Sequence, residues 1–118
     1  MVQPRGRYAV VDLSGSITVD QQELLEVELA KLLTLTFRAF ALRMTDASAL
    51  DKKGVEAILA FAETARSRAV YVAILDPALA IEPVICELGL DAKLPVFGTE
   101  TVFEKNAFAT AAERHHKK

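Results

Sequence analysis

The run Tyr8-Ala9-Val10-Val11-Asp12-Leu13 is β-branched and aromatic, and Ser14-Gly15-Ser16 ends it. It predicts a strand closing in a turn. From Asp20 the period changes. Leu25, Leu29, Leu32 and Leu33 recur at three- and four-residue steps, with Gln21, Gln22, Glu26, Glu28 and Lys31 mostly elsewhere. That spacing predicts an amphipathic helix, and Asp20 with Glu23 has the spacing of a capping box. Phe37 to Met44 is a second strand, and its continuous Ala39-Phe40-Ala41-Leu42 asks for cover on both faces. After the polar segment Thr45-Asp46-Ala47-Ser48, Asp51 is a good N-cap for a helix from Lys52. Val55, Ile58, Leu59 and Ala62 form its apolar stripe, with Phe61 beside them.

Val70 to Leu75 is uninterrupted and apolar, the clearest strand of the chain, and Asp76-Pro77 stops it. A short helix follows over about Glu82 to Leu88, with Pro83 in its first turn and Gly89 just past its end. Pro95-Val96-Phe97 fits a short edge strand. From Thr101, Asn106, Ala109 and Ala112 mark a terminal helix, and 113–118 are a solvated tail. The order β-α-β-α-β-α-(β)-α predicts an α/β fold with a mostly parallel sheet and right-handed crossovers.

Composition narrows the class. A chain of 118 residues is expected to form a single domain with its own core, about 8–112. One cysteine excludes an intramolecular disulfide framework and a cysteine-based zinc cluster. Fourteen Lys and Arg against 16 Asp and Glu give a net charge of −2, which argues against nucleic acid as a partner. No apolar run approaches the ~18 residues of a membrane span, so direct membrane insertion is not expected. Met1 to Arg7 contains Pro4 and Gly6 and has no apolar stretch of the secretory kind. The cytoplasm is the expected location.

Catalytic signals are sparse. Gly15, Gly54, Gly89 and Gly98 are too scattered for a phosphate-binding loop, and no nucleophile elbow occurs. His115 and His116 are neighbours at a frayed end and do not face one way. Cys86, among Val84, Ile85 and Leu88, is expected to be a buried, inert thiol. Asp12, Asp46 and Asp51 read as a strand-end carboxylate, a turn former and a cap. Neither an enzyme nor a cofactor or metal is expected. One feature breaks a local rule: Lys52 and Lys53 open a helix whose N-terminus disfavours cations by about 0.3–1 kcal/mol each when exposed. Extended into water, they are merely screened. Alternatively, they attract an anion or an acidic partner surface.

These segments resemble the STAS domain, the module shared by anti-sigma factor antagonists and the cytoplasmic tails of SulP-type anion transporters. The resemblance covers residues 8–112 and rests on Val11-Asp12-Leu13-Ser14-Gly15, on 42–55, and on Glu87-Leu88-Gly89-Leu90 with Pro95-Val96-Phe97. It implies a mixed sheet of four or five strands, SpoIIAA-like, with helices packed on one side. In the sigma-factor regulators the corresponding loop reads Asp-Ser-Ser-Gly, and a partner kinase phosphorylates the serine before glycine. Asp51 and Gly54 match it, but Lys52 and Lys53 stand at the two serine positions. Lys53 therefore takes the phosphoserine position and cannot accept phosphate. A further acidic position of the regulators falls at Thr18.

The resemblance implies a regulatory module that binds another protein through Thr45, Asp46, Ser48, Asp51, Lys52, Lys53 and Gly54. That partner would be an anti-sigma-factor-like kinase or a transporter-linked regulator. Leu42-Arg43-Met44, 54–58 and Thr101-Val102-Phe103 look equally like a transporter tail, which would place the domain on the cytoplasmic side of a membrane. A nucleotide- or anion-binding module is the third reading. A homodimer stays open on each.

Overall fold

The computed structural model describes residues 2–108. Seven strands and five α-helices follow in chain order: β1 (Val2–Pro4), β2 (Tyr8–Asp12), β3 (Gly15–Ile17), α1 (Gln22–Leu32), β4 (Ala39–Arg43), β5 (Ala47–Leu50), α2 (Lys52–Ser67), β6 (Tyr71–Leu75), α3 (Glu82–Glu87), α4 (Leu90–Lys93), β7 (Val96–Phe97) and α5 (Glu100–Ala107). The main sheet has the order β1-β2-β4-β6-β7; all its pairs are parallel except β1 with β2. Strands β3 and β5 form a separate parallel pair.

Strands β4 and β6 are central and apolar on both faces, as their continuous runs require. One face carries Ala9, Val11, Phe40, Leu42, Val72 and Ile74 against α1–α4. The opposite face carries Tyr8, Val10, Ala39, Ala41, Ala73 and Leu75 against Phe103 and Ala107 of α5. Three alanines leave room there for one large ring, and Phe103 lies 5.0 Å from Tyr8 and 6.0 Å from Tyr71. The packing of helices on one side thus holds for α1–α4, while α5 covers the other face.

Several local expectations change. Ser14-Gly15-Ser16 is not simply a turn: Gly15, at φ 74°, opens β3. Part of the polar segment after β4 is β5, and β1 precedes the first expected strand. The capping box at Asp20 does not form; a 3-10 turn over Val19–Gln21 precedes α1, and neither start has a side-chain cap. In α2, Phe61 is buried with Val55, Ile58 and Ala62, while Leu59 is half-buried. Gly89, at φ 77°, ends α3 as expected, and α4 follows it. β7 is the edge strand expected at 95–97. The terminal helix begins at Glu100, capped by Thr99, whose hydroxyl accepts from Val102 N at 3.3 Å. Ala109, Ala112 and the tail through His115 and His116 lie outside the described residues.

Candidate functional site

Asp51 organises the start of α2. Its Oδ1 accepts from the N–H of Gly54 at 2.9 Å, the N-cap bond the sequence predicts. Its Oδ2 accepts from Val19 N at 3.0 Å, and its own N–H donates to the Ile17 carbonyl at 3.2 Å. One aspartate therefore joins three elements: the helix, the end of β3 and the 3-10 turn. The bond from Gly54, followed by that from Val19, holds its carboxyl below the usual carboxylate range.

Gly54 is buried under β3. A Cβ there would lie 2.8 Å from the Ile17 carbonyl carbon, 3.0 Å from Ile17 Cγ2, and nearer still to the carbonyl oxygen. The glycine is required by close approach of two backbones, since its φ is not in the left-handed region. The sequence reading matched this glycine to the family motif and did not anticipate the contact with Ile17.

Lys52 and Lys53 point outward from this fixed base, both exposed. Lys53 Nζ lies 3.4 Å from Glu56 Oε1, an exposed pair one turn on that partly offsets the unfavourable helix dipole. Lys52 has no ion pair among the described residues. Val19, more than half exposed, stands beside them through its bond to Asp51; the sequence reading passed over it. Thr18 precedes the 3-10 turn and makes no side-chain cap.

Thr45, Asp46 and Ser48 are exposed at the C-terminal end of β4 and in β5. The carbonyl of Asp46 accepts from Gly15 N at 3.0 Å, which ties the loop to β3. Thr45 faces another way: its hydroxyl lies 2.9 Å from the Asp76 carbonyl oxygen and 3.0 Å from Asp76 Oδ2. The fold thus unites Asp51, Lys52, Lys53 and Gly54 with the 17–19 segment, and links Thr45 to the loop after β6. A cavity of about 730 Å³ lies between α1 and β1–β2, but none of the seven predicted site residues lines it. At the start of α2, Lys52 and Lys53 are exposed while Gly54 and Val55 are buried.

Asp12 is more than a strand-end carboxylate. Directly across from Arg43 in the sheet register, it accepts from Arg43 Nε at 2.5 Å and Nη2 at 2.9 Å, and from Gln3 Nε2 at 2.9 Å. The guanidinium bond lowers its carboxyl below the usual range. Glu100 accepts from Arg5 Nε and the Tyr8 hydroxyl, each at 3.0 Å, which joins the N-terminal segment to α5. The Arg5 bond lowers Glu100; burial, then Glu100, raises the Tyr8 phenol.

Cys86 is exposed, because the short α3 turns it outward, and Sγ donates to Asp91 Oδ2 at 3.3 Å. That bond pushes the thiol up, away from the thiolate form. Among the described residues no three His, Cys, Asp or Glu converge as a metal site, and no helix is long and apolar enough to cross a membrane.

The sequence profile of the STAS domain family matches residues 1–102. The chain belongs to the STAS domain family. No curated protein matches this STAS domain in sequence. Among solved structures it is similar to a putative anti-sigma factor antagonist from Thermotoga maritima, with a TM-score of 0.80, 13% identity, and coverage of 91% of this chain and 92% of that one. It is similar to the anti-sigma factor antagonist SpoIIAA in its unphosphorylated form (0.73; 16%; 94% and 97%). It is likewise similar to a sulfate transporter family protein from Wolinella succinogenes (0.73; 19%; 93% and 93%). At these identities the likeness is one of fold.

Proposed function

We propose that residues 1–118 act as one non-catalytic regulatory module that binds another protein through Thr45–Val55. The observation that carries this reading is a pair of exposed lysines on a helix start whose backbone Asp51 and Gly54 fix, Lys53 reaching only the exposed Glu56 one turn on. SpoIIAA is known in phosphorylated and unphosphorylated forms. With Lys53 at the matching serine position, this STAS domain would present a permanent positive charge there, and its partner would be regulated by some other route.

The test replaces both lysines by serine in the full chain. Surface changes of this kind alter stability by about 0.5 kcal/mol or less, a melting shift of about 2 °C. Pull-downs from native cell extract with the two proteins in parallel should retain a partner on the wild type that the variant loses. Purified partner then gives the affinity difference; equal binding by both proteins refutes the reading. Nucleotide titration separates the anion-binding alternative, since millimolar ligand that leaves the chemical shifts of 48–56 unmoved removes it.

The transporter-tail reading is supported by the similarity to the Wolinella succinogenes protein and to a SulP transporter STAS domain from Vibrio cholerae. Ten or more apolar spans encoded upstream of Met1 would establish it. The cytoplasm, or the cytoplasmic side of a membrane, suits these respective readings.

A further inference from the structure

Two non-glycine residues among those described have positive φ: Ala69 at 60° and Asp76 at 45°. Ala69 closes α2, where Val70 N donates to the Ala65 carbonyl at 2.9 Å, so its conformation is an ordinary helix ending. Asp76 ends no helix. It follows β6 directly; aspartate tolerates the left-handed region better than most residues, yet other backbone regions are still lower in energy for it.

The holding contacts can be named. The Thr45 hydroxyl reaches both the Asp76 carbonyl oxygen (2.9 Å) and Oδ2 (3.0 Å), and Asp76 N donates to the Phe97 carbonyl at 2.7 Å; on either side of Asp76, Met44 N donates to the Leu75 carbonyl and Ala78 N to the Met44 carbonyl, each at 3.0 Å. Phe97 belongs to β7, only two residues long, and its ring lies 6.2 Å from Phe103, the buried anchor of α5. Two residues later Thr99 caps α5. A second route reaches the same helix turn. Arg43, two residues before Thr45, grips Asp12; Asp12 accepts from Gln3, and Arg5 bonds both Gln3 Oε1 (2.9 Å) and Glu100 (3.0 Å). The 43–45 segment is thus joined to the first turn of α5 from two directions. Spatial continuity alone does not establish coupling, which needs an element with two states. Asp76, at a φ of 45° between these contacts, is where such an element would lie.

We propose that α5 is a displaceable strap latched by the Thr45–Asp76 contact, so that a partner drawing the Thr45 hydroxyl away from Asp76 loosens α5 from its sheet face. Released, Asp76 rotates out of the left-handed region, its N–H leaves Phe97, and β7 no longer fixes the Thr99 cap. The surface exposed is the apolar one formed by Val10, Ala41, Ala73 and Leu75. What engages the loop rests on the function proposed above; the latch does not.

Native-state hydrogen exchange of the full chain, without any partner, tests the latch. Thr45→Val should raise exchange at Asp76 and at 102–107 by about tenfold, while core amides of α1 and α2 keep their rates. Thr45→Ser retains the hydroxyl and should exchange like the wild type. Adding Asp76→Gly to Thr45→Val should return α5 to near its original rates, because glycine holds a φ of 45° without strain. No rise with Thr45→Val, a uniform rise across the chain, a rise with Thr45→Ser, or no rescue by glycine would each overturn the proposal. Failure of the lysine variant to alter partner binding leaves these exchange outcomes untouched, so the two readings fail separately.

Discussion

Replacing Gly54 by alanine adds one methyl group to the first turn of α2, and two opposing effects set the outcome. In an exposed helix position the change stabilises by about 1 kcal/mol, since glycine has the greater freedom to lose. Here the new Cβ lies 2.8 Å from the Ile17 carbonyl carbon and 3.0 Å from Cγ2. The obstacle is mostly backbone, and that carbonyl is held by Asp51 N while β3 is paired with β5. Overpacking against such a neighbour costs about 3 kcal/mol, the upper part of the usual range. The net loss is therefore about 2 kcal/mol. For a domain of this size that lowers the melting temperature by roughly 6–10 °C. Thermal unfolding followed by circular dichroism, with urea titration as a second measure, gives the answer. A Gly54→Ala protein at least as stable as the wild type would refute the close-approach argument, because helix propensity alone predicts that result.

The Asp12–Arg43 pair is bidentate and about one-quarter exposed, so a double-mutant cycle with Asp12→Asn and Arg43→Gln should give a coupling of about 1–2 kcal/mol. Its pH dependence has a definite sign. The Asp12 carboxyl is lowered on folding, so its contribution is complete above the ordinary carboxylate range and fades as pH falls through the lowered value. Asp12→Asn should flatten that acid limb, as read from urea midpoints measured at successive pH values. Cys86 should react stoichiometrically with a thiol reagent in the native protein; complete protection without denaturant would contradict its exposure. Because the Asp91 bond raises the thiol, Asp91→Asn should increase the labelling rate at mildly alkaline pH by about two- to fivefold.

The central strands were legible because burial on both faces leaves an unbroken apolar run, as in 39–42 and 71–75. The run 39–42 already called for cover on both sides, and α5 supplies the second cover opposite α1–α4. β3 and β5 were hidden for a physical reason. They are three and four residues long, mix exposed with buried positions, and owe their place to contacts from Asp46 and Asp51 that no local pattern encodes. Cys86 was misjudged because six residues of helix define no reliable face. At the candidate site, Asp51, Lys52 and Lys53 could be named from capping and charge, and Gly54 from the family resemblance. The roles of Ile17, Val19 and Asp76 required the chain to fold back on itself.

The two outer strands of the main sheet bear on how this molecule could meet its own copies. β1 has three residues, the last of them Pro4, and β7 has two. Proline lacks the N–H that an added strand would need, and two residues offer too short a template for register. Sheet continuation from one molecule into the next is therefore disfavoured at both ends. A homodimer built on this sheet would have to use its covering helices and side chains rather than an added strand at β1 or β7.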